Sequence, residues 1–342
     1  MKKYLIFILL SSFAFISCNK SNKPAAEPAK QVAQPQISQP ASTGRGSLIN
    51  SDGSVTLKLN VSKGEKYDME MISDQRIAQE MQGQKQEVFQ KMGFVYNYII
   101  EDVDLQGNMT TKIIYNSIYQ EVDGGSGKIT FDSKNPPKVE SPQTKILMCL
   151  VGKGFIVKQT PMGKVLDVKG TEDIIKSLVK KMELKDPEQE KQLTASLSDQ
   201  FGSDRMSEMV EKLTNFYDGA PKKVGDKWKK DYNSSGEFNM QFSSEYTVKE
   251  IKVNSIVIDI SSKLQTDPKS KPTEYGNALV KYSLKGTQKG TIEIDAKSGM
   301  IMNTNVYQKL TGKISSMQSE KEKEVTVPMT IETTNTIKTT KK

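Results

Sequence analysis

From residue 55 to the end of the chain, with one interruption, apolar side chains recur at alternate positions. That period constrains the fold more than any single motif. Val55, Leu57, Leu59 and Val61 alternate with polar neighbours, and Tyr67, Met69 and Met71 begin a second run. After a turn at Gln82-Gly83-Gln84, Val88, Met92, Phe94, Tyr96, Tyr98 and Ile100 keep one phase. Successive side chains of a strand point to opposite faces, so the pattern predicts antiparallel strands with one buried and one wet face. Asp104-Leu105-Gln106-Gly107-Asn108 turns into a strand carrying Ile113, Tyr115 and Tyr119, and the glycine-rich turn at 123–127 leads to Ile129 and Phe131.

In the middle the period lengthens to that of a helix. Ser141-Pro142 reads as a cap followed by proline at the first helical position, with Ile146, Leu147, Leu150 and Val151 on one face and Gly152 as the stop. A hairpin follows, Phe155–Thr160 to Val165–Val168, through Pro161-Met162-Gly163-Lys164. Three helices come next. Thr171 caps the first (Ile174, Ile175, Leu178, Val179, Met182). Asp186-Pro187 starts the second (Leu193, Leu197, Phe201), and Ser203 the third (Met206, Met209, Val210, Leu213, Phe216). Gly219-Ala220-Pro221 ends the insert. Alternation then resumes with Phe238, Met240, Phe242, Tyr246 and Val248, with Ser255–Leu264, with Gly290–Ile294 against Met300–Gln308, and with Val325 to Ile337.

The expected fold is therefore α+β: a large, curved antiparallel sheet or incomplete barrel of about ten strands, with a helical insert at 171–217 packed against it. An internal echo runs through it. Gly64-Glu65-Lys66-Tyr67 resembles Gly225-Asp226-Lys227-Trp228, and Lys112–Tyr115 resembles Ile256–Asp259. Two related halves flanking the insert would produce this, and so would recurrent hairpins.

The amino end carries a different signal. Residues 1–18, MKKYLIFILLSSFAFISC, place Lys2 and Lys3 before an apolar stretch from Tyr4 to Ile16, with Ser17 directly before Cys18. The stretch is shorter than the roughly 20 residues that span a bilayer core, and it reads as a signal peptide ending in a lipobox. Phe15 and Ile16 depart from the preferred lipobox residues, and an ordinary signal peptide with an incidental cysteine is the alternative. Acylation of Cys18 would anchor the chain, since each buried methylene contributes about 0.8 kcal/mol. Residues 19–46, with Pro24, Pro28, Pro35 and Pro40 among Ala, Gln and Ser, read as a disordered tether, leaving 47–342 as the globular domain. No acidic cluster follows Cys18, which favours the periplasmic side of an outer membrane.

The lipobox, Val224-Gly225-Asp226-Lys227-Trp228, the hairpin from Leu150-Val151-Gly152-Lys153 to Gly163-Lys164-Val165, and the turn from Gly290-Thr291-Ile292 to Ser298-Gly299 together resemble an uncharacterised family of bacterial lipoproteins, domain of unknown function 6263. The resemblance covers nearly the whole mature chain. It implies an envelope location and a fold type, and no activity or catalytic residues. The strand-helix-strand order is also similar to that of periplasmic lipid-carrier lipoproteins, an analogy of fold alone.

Chemistry-bearing motifs are thin. With no histidine among 342 residues, His-based triads and His-ligated zinc are excluded. Net charge is +8, spread along the chain rather than gathered in a stripe, so no nucleic-acid partner is expected. Ser177-Leu178-Val179-Lys180 has the Ser-x-x-Lys spacing of penicillin-binding enzymes, but Ser198-Asp199-Gln200 and Lys285-Gly286-Thr287 are altered versions of the accompanying motifs. Asp102 to Gly107 begins like a calcium loop and has Ile113 where a bidentate Glu is required; Gly124–Lys128 lacks the spacing of a phosphate loop. Both read as turns. Cys149, on an apolar helix, reads as a structural thiol.

No catalytic residue, metal or cofactor is therefore expected. The expected partners are a membrane, through Cys18, and either an envelope protein or an apolar ligand. A non-enzymatic structural or scaffold lipoprotein ranks first and a periplasmic carrier of a hydrophobic ligand second, with a serine hydrolase a remote third. For the carrier, Met182, Met206, Met209, Leu213 and Phe216 would line a cleft between helices and sheet.

Overall fold

The computed structural model describes residues 46–342 except 82, 126, 139–140, 235–238, 276–277 and 318–323. The lipobox with Cys18, the tether up to residue 45, Gln82, Ser126 and Phe238 lie outside the described residues. In chain order the elements are β1 (Val55–Thr56), β2 (Lys66–Met81), β3 (Gln84–Val103), β4 (Met109–Asp123), β5 (Lys128–Asp132), α1 (Pro142–Leu150), β6 (Gly154–Gln159) and β7 (Val165–Lys169). The helical insert follows as α2 (Thr171–Met182), α3 (Pro187–Phe201) and α4 (Ser203–Thr214). The rest is strand: β8 (Pro221–Lys222), β9 (Lys227–Ser234), β10 (Met240–Ile251), β11 (Ser255–Thr266), β12 (Thr273–Tyr275), β13 (Ala278–Asp295), β14 (Ile301–Met317) and β15 (Val325–Lys341).

Among the described residues thirteen strands form one antiparallel sheet in the order β7-β6-β4-β3-β2-β15-β14-β13-β11-β10-β9, with β5 and β12 attached to β4 and β13. The end strands β7 and β9 do not pair with each other, so the sheet is open. This is the α+β architecture that the alternation predicted. Three helix starts follow from local chemistry. Ser141 caps α1 in a capping box with Thr144, Asp186 caps α3 with Pro187 behind it, and Gly202 leads into α4 at Ser203. Thr171 is not a cap: Gly170, at φ +89°, holds that place, and the Thr171 hydroxyl bonds Ser203 across to α4 at 3.0 Å.

Two other expectations are corrected. Leu57, Leu59 and Val61 are buried but form no strand. Their segment is held by two hairpin turns, the Leu59 N–H donating to the Pro161 carbonyl (2.8 Å) and the Asn60 N–H to the Ser298 carbonyl (2.7 Å). Tyr119 does not share the buried face of Tyr115. A bulge opposite Val95/Tyr96 inserts a residue and reverses the phase, so Ile118 is buried and Tyr119 bonds Glu121 on the other face. Ile129 shares the face of the buried Phe131 on β5 but is itself 72% exposed.

The internal echo is present in the backbone. The Gly64 N–H donates to Ile100 and the Gly225 N–H to Val248, both at 2.8 Å; Ile100 and Val248 donate back to Glu65 and Asp226. The Glu65 and Asp226 carboxylates each accept from the N–H three residues earlier, Ser62 and Lys223. Tyr67 faces Tyr98 as Trp228 faces Tyr246, and each long partner strand has a bulge just past this point. Register makes Ile260, not Val257, the counterpart of Ile113. Across the sheet the series β7-β6-β4-β3-β2 and β14-β13-β11-β10-β9 run in the same direction, with β15 between them.

Candidate functional site

The inner face of the sheet carries two apolar clusters. The larger packs under the helices and includes Tyr96, Tyr115, Met206, Phe216 and Tyr246. The smaller, around Leu264, Leu284, Leu310, Met329 and Ile331, involves strands alone. Cross-strand register explains the boundary between them. Ser244, Ser262, Gln288, Gln308, Thr333, Gln75 and Gln90 stand opposite one another in sequence across β10, β11, β13, β14, β15, β2 and β3. They form one polar row, joined in places by side-chain bonds such as Ser244–Ser262 (2.8 Å) and Gln75–Thr333 (3.4 Å). The adjacent row, Phe242, Leu264, Gly286, Leu310, Ile331, Ile77 and Val88, is apolar apart from one glycine.

A cavity of about 250 Å³ lies over this face, bounded on the helical side by Phe201, Met206, Met209, Lys212, Leu213 and Phe216. Gln75, Gln288, Gln308 and Thr333 of the polar row are on its sheet side, flanked by Val306, Ile260 and Tyr246 on one side and Leu310, Ile331 and Phe242 on the other. The lining is thus largely apolar and crossed by a polar strip. For scale, a cavity of about 150 Å³ lined by aliphatic and aromatic groups suffices to hold benzene.

Both walls are tied in place. The Tyr115 hydroxyl contacts the Met206 sulfur at 3.8 Å, and the Trp228 indole N–H donates to the Phe216 carbonyl at 2.9 Å, with the Phe216 ring 6.3 Å from Tyr246. Burial pushes the Tyr96, Tyr115 and Tyr232 phenols above their ordinary range, so they stay neutral hydrogen-bonding groups.

Among the described residues one charged side chain lines the cavity, Lys212. Its ammonium contacts Glu208 at 2.9 Å and donates to Ser234 at 2.6 Å, and Glu208 also pairs with Arg205 at 2.6 Å. The Arg205 side chain is 2% exposed and that of Lys212 16%. Burial lowers the Lys212 pKa despite the opposing pull of Glu208.

Of the residues expected to line a cleft, Met206, Met209, Leu213 and Phe216 do so, Phe216 from just beyond the end of α4. Met182 does not: it ends α2, half-buried, and is not part of the lining. Ser177 and Lys180 sit on α2, with the Ser177 hydroxyl donating to the Asp173 carbonyl at 2.8 Å. Cys149, half-buried, contacts the Ser177 carbonyl at 3.7 Å. Asp104 accepts from the N–H groups of Gln106 and Asn108, as a hairpin turn requires. Among the described residues no group of three or more Cys, Asp or Glu is placed to hold a metal, and no helix is long and apolar enough to cross a membrane. Lys212 and the polar row escaped the sequence reading. Their signal was polar residues in the inward phase of four apolar stripes: Gln75, Gln288, Gln308 and Thr333.

A model described as a family of unknown function, DUF6263, matches residues 106–301, over half of the chain and a span that includes α1 to α4. No curated protein matches. Among solved structures the chain is similar to lipovitellin, in a structure titled for its lipid-protein interactions (9% identity, TM-score 0.44). That match covers 82% of this chain and 25% of the other, so the chain spans a quarter of lipovitellin's length. Fainter matches are an outer membrane channel from Pseudomonas putida F1 (7% identity, TM-score 0.21, 82% and 97% covered) and the CymD monoaromatic hydrocarbon channel (9%, 0.15, 86% and 97%). None of the three bears on what this chain binds.

Proposed function

The chain belongs to the DUF6263 family, and we propose that it is a non-enzymatic, lipid-anchored envelope protein that holds an apolar ligand between its sheet and α4. One observation carries this reading: the largely apolar cavity of about 250 Å³ enclosed by Met206, Met209 and Leu213 on one side and the sheet on the other. Sheet and helices that covered each other completely would favour a purely structural role, because apolar stripes usually close into a core. Here they leave room. Flexible methionines adapt to ligands of irregular shape, which suits such a wall. Cys18 supplies the anchor in this reading, and residues 19–46 the reach from a periplasmic membrane surface.

Organic extraction of the purified full-length chain followed by lipid mass spectrometry tests it. Roughly one lipid per chain is expected. A chain that carries none, and that takes up none from vesicles, is a scaffold instead. Turnover of an envelope ester that disappears in Ser177→Ala would overturn the non-enzymatic part.

A further inference from the structure

The polar row crosses the cavity instead of rimming it. On the sheet side Val306 and Ile260 lie to one side of the row, and Leu310 and Phe242 to the other. Gln288 and Gln308 stand directly opposite each other within it, on β13 and β14. Both are half-buried, both line the cavity, and among the described residues neither side-chain amide has a hydrogen-bond partner. Gln75, further along the row, is bonded to Thr333. An amide brings two N–H donors and a carbonyl acceptor, and polar groups held in a protein interior nearly always find partners. The row itself is uncharged. Among the described residues Lys212 is the charged side chain of the lining, and Glu208 and Ser234 engage it.

We infer that the ligand carries an uncharged polar group part-way along a hydrocarbon chain, and that Gln288 and Gln308 bond this group. This deepens the ligand-holding reading and rests on it. Inward-facing residues of a strand recur about every 7 Å, so a short hydrocarbon arm on each side of the polar group reaches the flanking apolar row. A plain hydrocarbon would leave both amides unpaired, and sites built around hydrogen-bonding groups reject analogues that lack them. An ion laid on the row would lose its water without gaining an opposite charge. A polar group at the end of a chain would leave one apolar flank uncovered. Esters and amides that link two hydrocarbon arms share the required chemistry.

Calorimetric titration with four ligands of matched size, each below its solubility limit, tests the inference on the full-length chain. Hexyl hexanoate and N-hexylhexanamide carry the polar group in the middle; dodecanamide and dodecanoate carry it at the end, uncharged and charged. At least one of the first two should bind about tenfold tighter than either of the others, the worth of two ordinary hydrogen bonds. Which of them wins identifies the linkage. Gln308→Leu and Gln288→Leu should each shrink that preference severalfold, with urea unfolding of the same preparations showing that both variants are folded. End-group ligands that bind as tightly as the mid-chain ones, or a preference that survives in either folded variant, overturn the inference and leave the cavity reading standing. Failure of all four ligands to bind removes both.

Discussion

The Gln75 amide donates to the Thr333 hydroxyl at 3.4 Å where the first long strand of the chain meets the last. Through this contact the polar row passes from one half of the sheet to the other. Gln308 stands beside Thr333 on β14, between the apolar neighbours Val306 and Leu310 of its own inward phase. Exchanging a half-buried amide for an apolar side chain of similar size is nearly neutral or favourable. Gln308→Leu should therefore leave unfolding in urea within about 1 kcal/mol of the parent, on the stabilising side. A loss above about 2 kcal/mol would instead make the row a part of what holds the sheet together.

Met209 is buried on α4 and faces the cavity, so adding volume there distinguishes a real void from a closed core. Met209→Trp should fill the space, cut lipid recovered by extraction severalfold, and leave thermal stability equal or higher. In a core without a void, the same change would cost about 1–3 kcal/mol through overpacking. Thermal melts and extraction from one preparation read both outcomes.

Gly64 (φ +88°) and Gly225 (φ +91°) occupy equivalent turns, and a Cβ at either would meet no atom within 4 Å. The cost of alanine is therefore conformational alone. Gly64→Ala and Gly225→Ala should each destabilise by about 1 kcal/mol, and by similar amounts, measured by urea unfolding. Clearly unequal losses would mean that the two turns are not energetic counterparts.

On the outer face Glu332 accepts hydrogen bonds from Lys309 (2.9 Å), Tyr307 (3.0 Å) and Arg76 (3.1 Å). With Lys309 the largest influence, its pKa falls from an ordinary 4.5 to about 2. A carboxylate held lower in the folded state than in the unfolded one stabilises fully above pH 4.5, and that contribution disappears as pH falls through about 2. Urea midpoints between pH 5 and 2 should therefore fall less steeply in Glu332→Gln than in the parent. Parallel slopes would show that the cluster contributes nothing to acid sensitivity.

Much of the fold was legible along the chain because its causes are local. Side chains alternate in a strand by covalent geometry, so Tyr67, Tyr98 and Ile331 declared their inward phase without reference to any neighbour. Ser141 and Asp186 announced helix starts because a cap satisfies N–H groups two or three residues away. The methionines of α4 were recognisable as an apolar face, and they do line the cavity. Errors arose where a distant partner intervened. Thr171 looked like a cap but bonds Ser203; Leu57 and Leu59 looked like strand but are held by two hairpin turns; a bulge reversed Tyr119.

Most of the strands, the caps of α1 and α3 and the repeated glycine turns were thus determined by the sequence alone, since each depends on residues within a few positions of one another. Only the tertiary structure decided that β15 lies between β2 and β14, that seven polar side chains fall into one row, and that Lys212 faces the cavity. Those features depend on register between strands far apart in the chain, such as those of Gln75 and Thr333 (258 apart). Register is chosen by the sheet as a whole, because a shift of one residue would turn an entire apolar stripe toward water.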